Sequence, residues 1–359
     1  MTKACQLACF HCRANAQLTG APDELSTKEG MDLIDSLASL GRPRPILILT
    51  GGDCLMREDV VELATYAASH NVPVAIAPSV TPKLTSSTLE ALRQAGVKSA
   101  SLSLDGANAS THDAVRGITG HFDETLRAID SLKAHGFTTQ INTTVMASNV
   151  LELADVAKLM HEHHVDVWEV FFLITTGRGS DIEATSSKTN EEVSHFLVDA
   201  SRYGFTVRTV EAPFFRRVAL DRHRGAQRRP TTSVGTTYEF LSSRLVELLG
   251  ASIAPIRAPS AATRDGKGII FVASNGDIYP SGFLPIILGN VRADNLVDVY
   301  RDHALLCDIR AARFVGPCNN CEHSDLCGGS RSRAFATYAD PLASDPGCVR
   351  VSDAVALGR

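Results

Sequence analysis

Three cysteines crowd the start of the chain as Cys5-x3-Cys9-x2-Cys12. Three thiolates in one short loop can hold three corners of a cubane iron–sulfur cluster. The fourth iron then stays open for an exogenous ligand, which is the coordination that catalytic metal sites keep. The competing reading is a structural zinc loop whose fourth ligand is His11 or a distant cysteine. A second set, Cys318-x2-Cys321-x5-Cys327-x20-Cys348, supplies four thiolates. These can close a tetrahedral metal or a cubane cluster, and spacing alone leaves both open. A fully ligated centre suits electron transfer or structure rather than substrate ligation. Of the 9 cysteines, Cys54 and Cys307 stand apart and read as small buried packing residues. The odd count argues against a disulfide framework.

The 359 residues that must position these groups suit one large α/β domain plus a smaller one. The formal net charge of −5 provides no general basic field for nucleic acid. No apolar run reaches the roughly 18 residues of a membrane helix, and Met1 to Cys12 has no apolar signal-peptide region. A cytoplasmic location without membrane or nucleic-acid partners is the expectation.

Between the cysteine sets, β-rich runs alternate with helical patterns. Strands are expected at Pro45–Thr50, Val72–Ala77, Val97–Leu104, Gln140–Met146, Val165–Ile174 and, more weakly, Phe205–Val210. Ser26 with Glu29 forms a capping-box pattern ahead of Leu33, Ile34, Leu37 and Leu40. Further apolar stripes run through Leu89 and Leu92, through Phe122, Leu126, Ile129 and Leu132, and through Leu151, Val156 and Leu159. Such repeats make a parallel sheet that forms an open or partial barrel, with its active face at the strand carboxyl ends. Arg216 to Gly268 breaks the rhythm, with one helical piece near Tyr238 to Leu249, and reads as a bridge. A hairpin signal follows, with its turn at Asn275-Gly276. The expected division is a barrel over 1–213, a bridge over 214–268 and a cysteine-rich module over 269–359.

The cysteine triplet, the β/α units and Thr50-Gly51-Gly52-Asp53 after the first clear strand together resemble the radical SAM superfamily. The resemblance implies a 4Fe–4S cluster on Cys5, Cys9 and Cys12 whose open iron chelates S-adenosylmethionine (SAM). Reductive cleavage to a 5′-deoxyadenosyl radical and hydrogen abstraction from a substrate would follow. His11 falls where the family's backbone meets adenine. Gly51, Gly52 and Asp53 match the Gly-Gly-Glu segment that holds the methionine amine, with Asp53 one methylene short. Taken alone, Gly51-Gly52 is a tight strand-to-helix turn. Ser103 and Asp105 fit the ribose-contacting position, and their alternative is a plain strand-end turn. Arg116 and Asn142 resemble polar residues near the SAM carboxylate and ribose. The implied fold is a partial (β/α)6-type barrel. Only 4 residues precede Cys5, so the family's first strand is expected to be short or missing. An edge is then exposed at the strand before Gly51.

Tyr279-Pro280-Ser281-Gly282-Phe283, Gly289-Asn290-Val291-Arg292 and Cys327-Gly328-Gly329 resemble the SPASM extension of radical SAM proteins. Cys318, Cys321, Cys327 and Cys348 match the ligands of its second auxiliary cluster, a further 4Fe–4S centre. Ser281 and Arg331 stand where ligands of the first are expected. With Phe171-Phe172-Leu173 and Thr176-Gly177-Arg178-Gly179, the likeness extends to haem-biosynthesis radical SAM enzymes that trim porphyrin side chains. It implies a tetrapyrrole substrate, or a ribosomal peptide as the alternative, and a flavodoxin or ferredoxin reductant. The alternative of another class is a zinc-binding interaction protein without SAM chemistry. Arg216, Arg217, Arg222, Arg224, Arg228 and Arg229 read as a solvated face or as a seat for an acidic substrate. His161, His163 and His164 read as a solvated helix end.

Overall fold

The computed structural model describes residues 1–225, 234–259 and 263–356. Helix α1 (Thr27–Ser39) starts where its sequence says it should. Ser26 Oγ accepts from the Glu29 amide at 3.3 Å, and Glu29 Oε2 accepts from the Ser26 amide at 2.8 Å, a reciprocal capping box. There follow β1 (Leu47–Leu49), α2 (Val60–Ser69), β2 (Val74–Ile76), α3 (Ser86–Gln94), β3 (Ser99–Ser103), α4 (Ala109–Arg116) and α5 (His121–Ala134). The succession continues with β4 (Thr138–Val145), α6 (Leu153–Glu162), β5 (Val167–Phe172), α7 (Ser187–Ala200), β6 (Thr206–Val210) and α8 (Phe214–Arg224). All six strands are parallel in the order β1-β2-β3-β4-β5-β6. Every strand's carboxyl end therefore lies at the same edge of the sheet.

Alternation sorts the two faces of the sheet. On β4, Thr139, Ile141, Thr143 and Val145 are buried under the helices, while Gln140, Asn142 and Thr144 are half-buried on the other face. On β5, Trp168, Val170 and Phe172 go in and Glu169 and Phe171 do not. The buried hydroxyl of Thr143 is satisfied on both sides: Oγ1 donates to Leu104 O at 2.7 Å and accepts from Trp168 Nε1 at 2.9 Å.

The expected edge lies at β1, which is first in the strand order and keeps Ile46 and Ile48 exposed at 64% and 57%. Residues before Cys5 meet the sheet only beyond that strand. Gly52 N–H donates to Thr2 O and Asp53 N–H to Ala4 O, both at 2.7 Å. A Cβ on Gly52 would stand 2.4 Å from Ala4 O, so the approach requires glycine.

The segment expected as a bridge carries two helices that pack on those of the barrel. Helix α8 buries Phe214, Phe215, Arg216, Arg217, Val218 and Ala219 and packs on α7. Helix α9 (Thr236–Leu249) packs on α6 and α7. Charged residues on the inward face of α8 concealed its pattern. Arg217 pairs with Glu191 at 2.5 Å, and Arg222 bonds Asp199. Arg216 and Arg217 are thus internal, neither a solvated face nor an open acidic-substrate seat, and Arg228 and Arg229 lie outside the described residues.

The carboxyl-terminal part opens with an antiparallel sheet of β7 (Phe271–Val272), β8 (Asp277–Tyr279) and β9 (Gly289–Asn290). Helices α10 (Leu296–Asp302), α11 (Ala304–Arg310), α12 (Arg331–Tyr338) and α13 (Val349–Ala356) follow. The small sheet docks on the cysteine loop through Arg13, which donates to Gly282 O at 2.8 Å. The Arg13 guanidinium stacks over Phe271 and Phe283 at 4.7 and 5.2 Å. Phe283 in turn meets Phe171 of β5 at 5.9 Å between ring centroids. A cavity of about 180 Å³ lies here, lined by Thr2, Arg13, Gly51, Phe271 and Ser281 among others.

Candidate active site

Cys5 and Cys9 are buried and Cys12 half-buried at the carboxyl edge of the large sheet. The Thr176–Gly179 turn clamps their loop. Arg178 Nε donates to Cys9 O and one guanidinium nitrogen to Ala16 O, both at 2.9 Å, while the Arg178 amide donates to Cys12 O at 3.1 Å. Gly177 has φ 58°, and a Cβ there would stand 2.6 Å from Arg13 O. Sequence reasoning noticed this turn as a match and gave it no task. Its glycine-arginine-glycine composition was the available signal.

The thiols sit among donors. Leu7 N–H points at Cys5 Sγ at 3.4 Å, Ser79 Oγ lies 3.6 Å from the same sulfur, and Arg116 reaches Cys9 Sγ at 3.6 Å. Arg116 also bonds Asp105. Burial would raise the Asp105 carboxyl, but the Arg116 charge and then His11 hold it well below the usual carboxylate range. His11 Nε2 stands 3.3 Å from Asp105 Oδ2, and Asp105 Oδ1 accepts from the Thr144 amide at 2.7 Å. Both Asp105 oxygens are therefore engaged by protein. His11 Nδ1 and Arg116 Nε are buried without a protein partner.

Asp53 is fully buried. Its Oδ1 accepts from the amides of Leu55 at 3.1 Å and Ser79 at 3.2 Å, and its Oδ2 accepts from Thr81 Oγ1 at 2.9 Å. It caps the turn that follows Gly51-Gly52. Ser103 and Asn142 are partners across β3 and β4 on the open face of the sheet.

Behind Asp105 runs a directed histidine chain. The Asp105 amide donates to His112 Nδ1 at 3.1 Å, which leaves the proton on Nε2 facing His121 Nδ1 at 2.9 Å. His121 Nε2 then reaches Val80 O at 3.0 Å. Burial, with the Arg116 charge second, pushes His112 down to about 3, so this chain is neutral.

At the other set, burial pushes the thiols of Cys327 and Cys348 up, to about 12 and about 11. Cys318 and Cys348 both lie near Cys327, and Cys348 packs against the buried cluster that holds Cys318. Among the described residues no three His, Cys, Asp or Glu side chains are gathered tightly enough for a single ion. Two guanidinium groups flank Cys327, and among the described residues no carboxylate bonds either. Among the described residues Arg216, 3% exposed, donates only to the carbonyls of Thr263 and Leu326, and Arg264, 6% exposed, only to those of Asp325 and Ile309. Buried cations bonded to neutral groups alone are costly, and an anionic thiolate centre at Cys327, formed on a bound metal, would offset them. The residues present fit such a centre.

The positions expected for further ligands are filled otherwise. Arg331 is fully buried, stacks over Phe314 at 4.4 Å and donates to Ala343 O at 2.6 Å, while Ser281 Oγ stands 3.5 Å from Ser332 Oγ. Cys54 is buried as read, but Cys307 is only half-buried, with Arg310 bonding its sulfur at 3.4 Å. His161 and His163 cap the end of α6, bonding Tyr203 O at 2.7 Å and Asp130 at 2.6 Å.

A six-stranded parallel half-barrel carrying three clamped cysteines at its carboxyl edge defines the class: an α/β protein with a thiol-lined loop at the carboxyl ends of its strands. The radical SAM superfamily profile matches residues 1–161. The AdoMet-dependent heme synthase of Methanosarcina barkeri is 34% identical over 352 residues, spanning 97% of this chain and 94% of that protein. Mycofactocin maturase MftC of Mycobacterium tuberculosis is 28% identical, spanning 100% and 84%. The structure of Streptococcus suis SuiB bound to precursor peptide SuiA shares the fold, with a TM-score of 0.65 at 17% identity over 97% of this chain and 74% of that one. The chain belongs to the radical SAM superfamily, on its haem-biosynthesis branch, with a SPASM-like module at the carboxyl end. Among the described residues no helix is long and apolar enough to cross a membrane.

Proposed function

We propose that this radical SAM enzyme acts on a tetrapyrrole side chain. The observation that carries the substrate class is the 34% identity to a heme synthase across 97% of this chain and 94% of that protein. Cys5, Cys9 and Cys12 would hold the catalytic 4Fe–4S cluster and leave one iron for SAM. When bound and reduced by a flavodoxin or ferredoxin, that pair supplies a 5′-deoxyadenosyl radical able to take hydrogen from an unreactive C–H bond. The chain's own residues position and shield. Arg178 fixes the loop, and Arg116 places a positive charge at Cys9. Asp105 acts through Arg116 and His11, since its oxygens are already bonded. Gly51 and Gly52 offer backbone to the methionine end, and Asp53 holds their turn. Ser103 and Asn142 offer polar groups to the ribose. Cys318, Cys321, Cys327 and Cys348 would hold an auxiliary 4Fe–4S cluster. In this scheme the chain divides into a barrel over 1–213, a bridge over 214–268 and a cysteine-rich module over 269–359, and works in the cytoplasm beside its reductant.

The test is anaerobic reconstitution with SAM, dithionite and an iron porphyrin bearing propionates. 5′-Deoxyadenosine should form, and the porphyrin should change mass. The triple variant Cys5→Ala, Cys9→Ala, Cys12→Ala should yield no 5′-deoxyadenosine, and undiminished product would sink the cluster assignment. A peptide substrate is the second reading, favoured by the match to the mycofactocin maturase over 100% of this chain and 84% of that protein. An unaltered porphyrin alongside an altered peptide would select it. A colourless protein holding zinc would restore the interaction-protein reading.

A further inference from the structure

One row of residues crosses the open face of the sheet at the level of the cysteine loop. Ser79 Oγ lies 3.4 Å from Gly52 O and 3.6 Å from Cys5 Sγ. Farther along, Ser103 pairs with Asn142, Asn142 with Glu169, and Glu169 with Arg208. Their sequence neighbours Leu102, Ile141, Trp168 and Val207 are almost fully buried on the helix side. The row therefore faces the space where the cysteine loop and the small sheet meet. Two of its members are charged, and SAM recognition as proposed above uses neither.

Glu169 is held in place by an amide. The Gln140 carboxamide donates to Asn142 Oδ1 at 2.8 Å and to Glu169 Oε2 at 2.7 Å. Burial raises the Glu169 carboxyl, outweighing the opposing charge of Arg208. Arg208 stands opposite in register, yet the two form no ion pair. Among the described residues nothing bonds the Arg208 side chain, and it is exposed. Arg216, Arg217 and Arg222, by contrast, are all engaged within the protein. A guanidinium on the reaction face, planar and always charged, is shaped for a carboxylate.

The geometry points to Arg208, opposite Glu169 in register, as the seat of a substrate carboxylate, a propionate of the tetrapyrrole. This rests on the tetrapyrrole reading above. The seat is a binding group that sets which carboxylate-bearing edge of the substrate turns toward the cysteine loop.

The test uses the full, reconstituted chain and two probes: an iron porphyrin with free propionates and its methyl ester. Binding is followed by the shift of the porphyrin's Soret band. Wild type should bind the acid more tightly than the ester. Arg208→Gln should weaken the acid about tenfold to a hundredfold, the scale of one charged hydrogen bond, and leave the ester unchanged. Arg208→Lys keeps the charge without the planar fork and should recover part of the loss. Melting temperatures of both variants report whether they fold. Equal acid affinity in wild type and in a folded Arg208→Gln overturns the seat and leaves the tetrapyrrole reading standing. No Soret shift with wild type for either probe overturns both.

Discussion

Glu211 and Asp265 meet through a single hydroxyl, that of Ser332. Its Oγ lies 3.0 Å from Glu211 Oε1 and 2.9 Å from Asp265 Oδ2. A hydroxyl has one proton to give, so two ionised carboxylates could not both be served. Burial pushes the Glu211 carboxyl well above its ordinary value, and the Asp265 charge adds to the push. The set closes when Glu211 keeps its proton and donates it to Ser332 Oγ, which donates its own to Asp265. The Ser332 amide, at 3.1 Å, gives Asp265 a second bond. This joint ties the end of β6 to the start of α12, and so the barrel to the cysteine-rich module.

The sign of its pH dependence follows. A carboxyl whose folded pKa exceeds its unfolded one stabilises the fold fully below the unfolded value, and that contribution is lost as pH rises through the folded value. Stability should therefore fall from mildly acidic toward alkaline pH. Glu211→Gln, which keeps the hydrogen-bonding shape without an ionisable proton, should flatten the fall. Thermal melts across that range compare the two slopes. Parallel slopes would show that Glu211 titrates no differently in the folded chain.

Asp105→Asn should be severe. The Asp105 and Arg116 side chains are 1% and 10% exposed, and removing one partner of a buried pair costs about 3–5 kcal/mol. His11 would lose its carboxylate contact as well. Urea denaturation measures the loss. A change under about 1 kcal/mol would place Asp105 outside the structural hub.

Asp53 separates two roles that its neighbours in sequence merge. Its oxygens receive Leu55, Ser79 and Thr81, so Asp53→Ala should cost about 1–3 kcal/mol in unfilled donors. SAM affinity should fall with it, through the Gly51-Gly52 turn. Asp53→Glu adds a methylene at a fully buried position and should also destabilise, by about 1–3 kcal/mol. A calorimetric SAM titration beside a urea melt tells the roles apart. Weaker SAM binding in Asp53→Ala at unchanged stability would make Asp53 a direct ligand contact.

The strands and the cysteine sets were legible because their signals are local. Apolar β-branched runs between glycines place β1 to β6, and thiol spacing needs no third dimension. Helix α8 was missed because Arg216 and Arg217 occupy buried positions that an apolar stripe should fill. Their carbonyl and carboxylate partners come from distant segments around Thr263, Leu326 and Glu191. The Glu169–Arg208 row escaped for a related reason. A lone charge inside a strand reads as noise until register places it opposite another. The resemblance singled out Asp105 as a ligand contact, whereas its burial and its bonds to protein appear only once α4 folds Arg116 back over it.

The last prediction concerns metal content. Cys5, Cys9 and Cys12 can hold one four-iron cluster with an open corner, and Cys318, Cys321, Cys327 and Cys348 one closed cluster. Neither spare cysteine offers a third site, since Cys54 is fully buried and Cys307 lies on α11 beside Arg310. At the positions of further expected ligands, Ser281 has a hydroxyl, which gives up its proton far less readily than a thiol. Arg331 fills its place with a guanidinium stacked on Phe314. The reconstituted chain should then carry about eight irons with matching sulfide, and about four after all four late cysteines become alanine. Arg216 and Arg264 should feel that second change. With the anionic centre gone, their buried charges lose compensation, so the four-alanine variant should melt lower than the loss of packing alone would give. Adding Arg216→Met to it should then recover stability, because it removes a buried cation that among the described residues bonds only carbonyls. Iron and sulfide near twelve per chain would reveal a third cluster. A four-alanine variant that Arg216→Met only destabilises further would show that the guanidinium is held by its carbonyls and not by the thiolate centre.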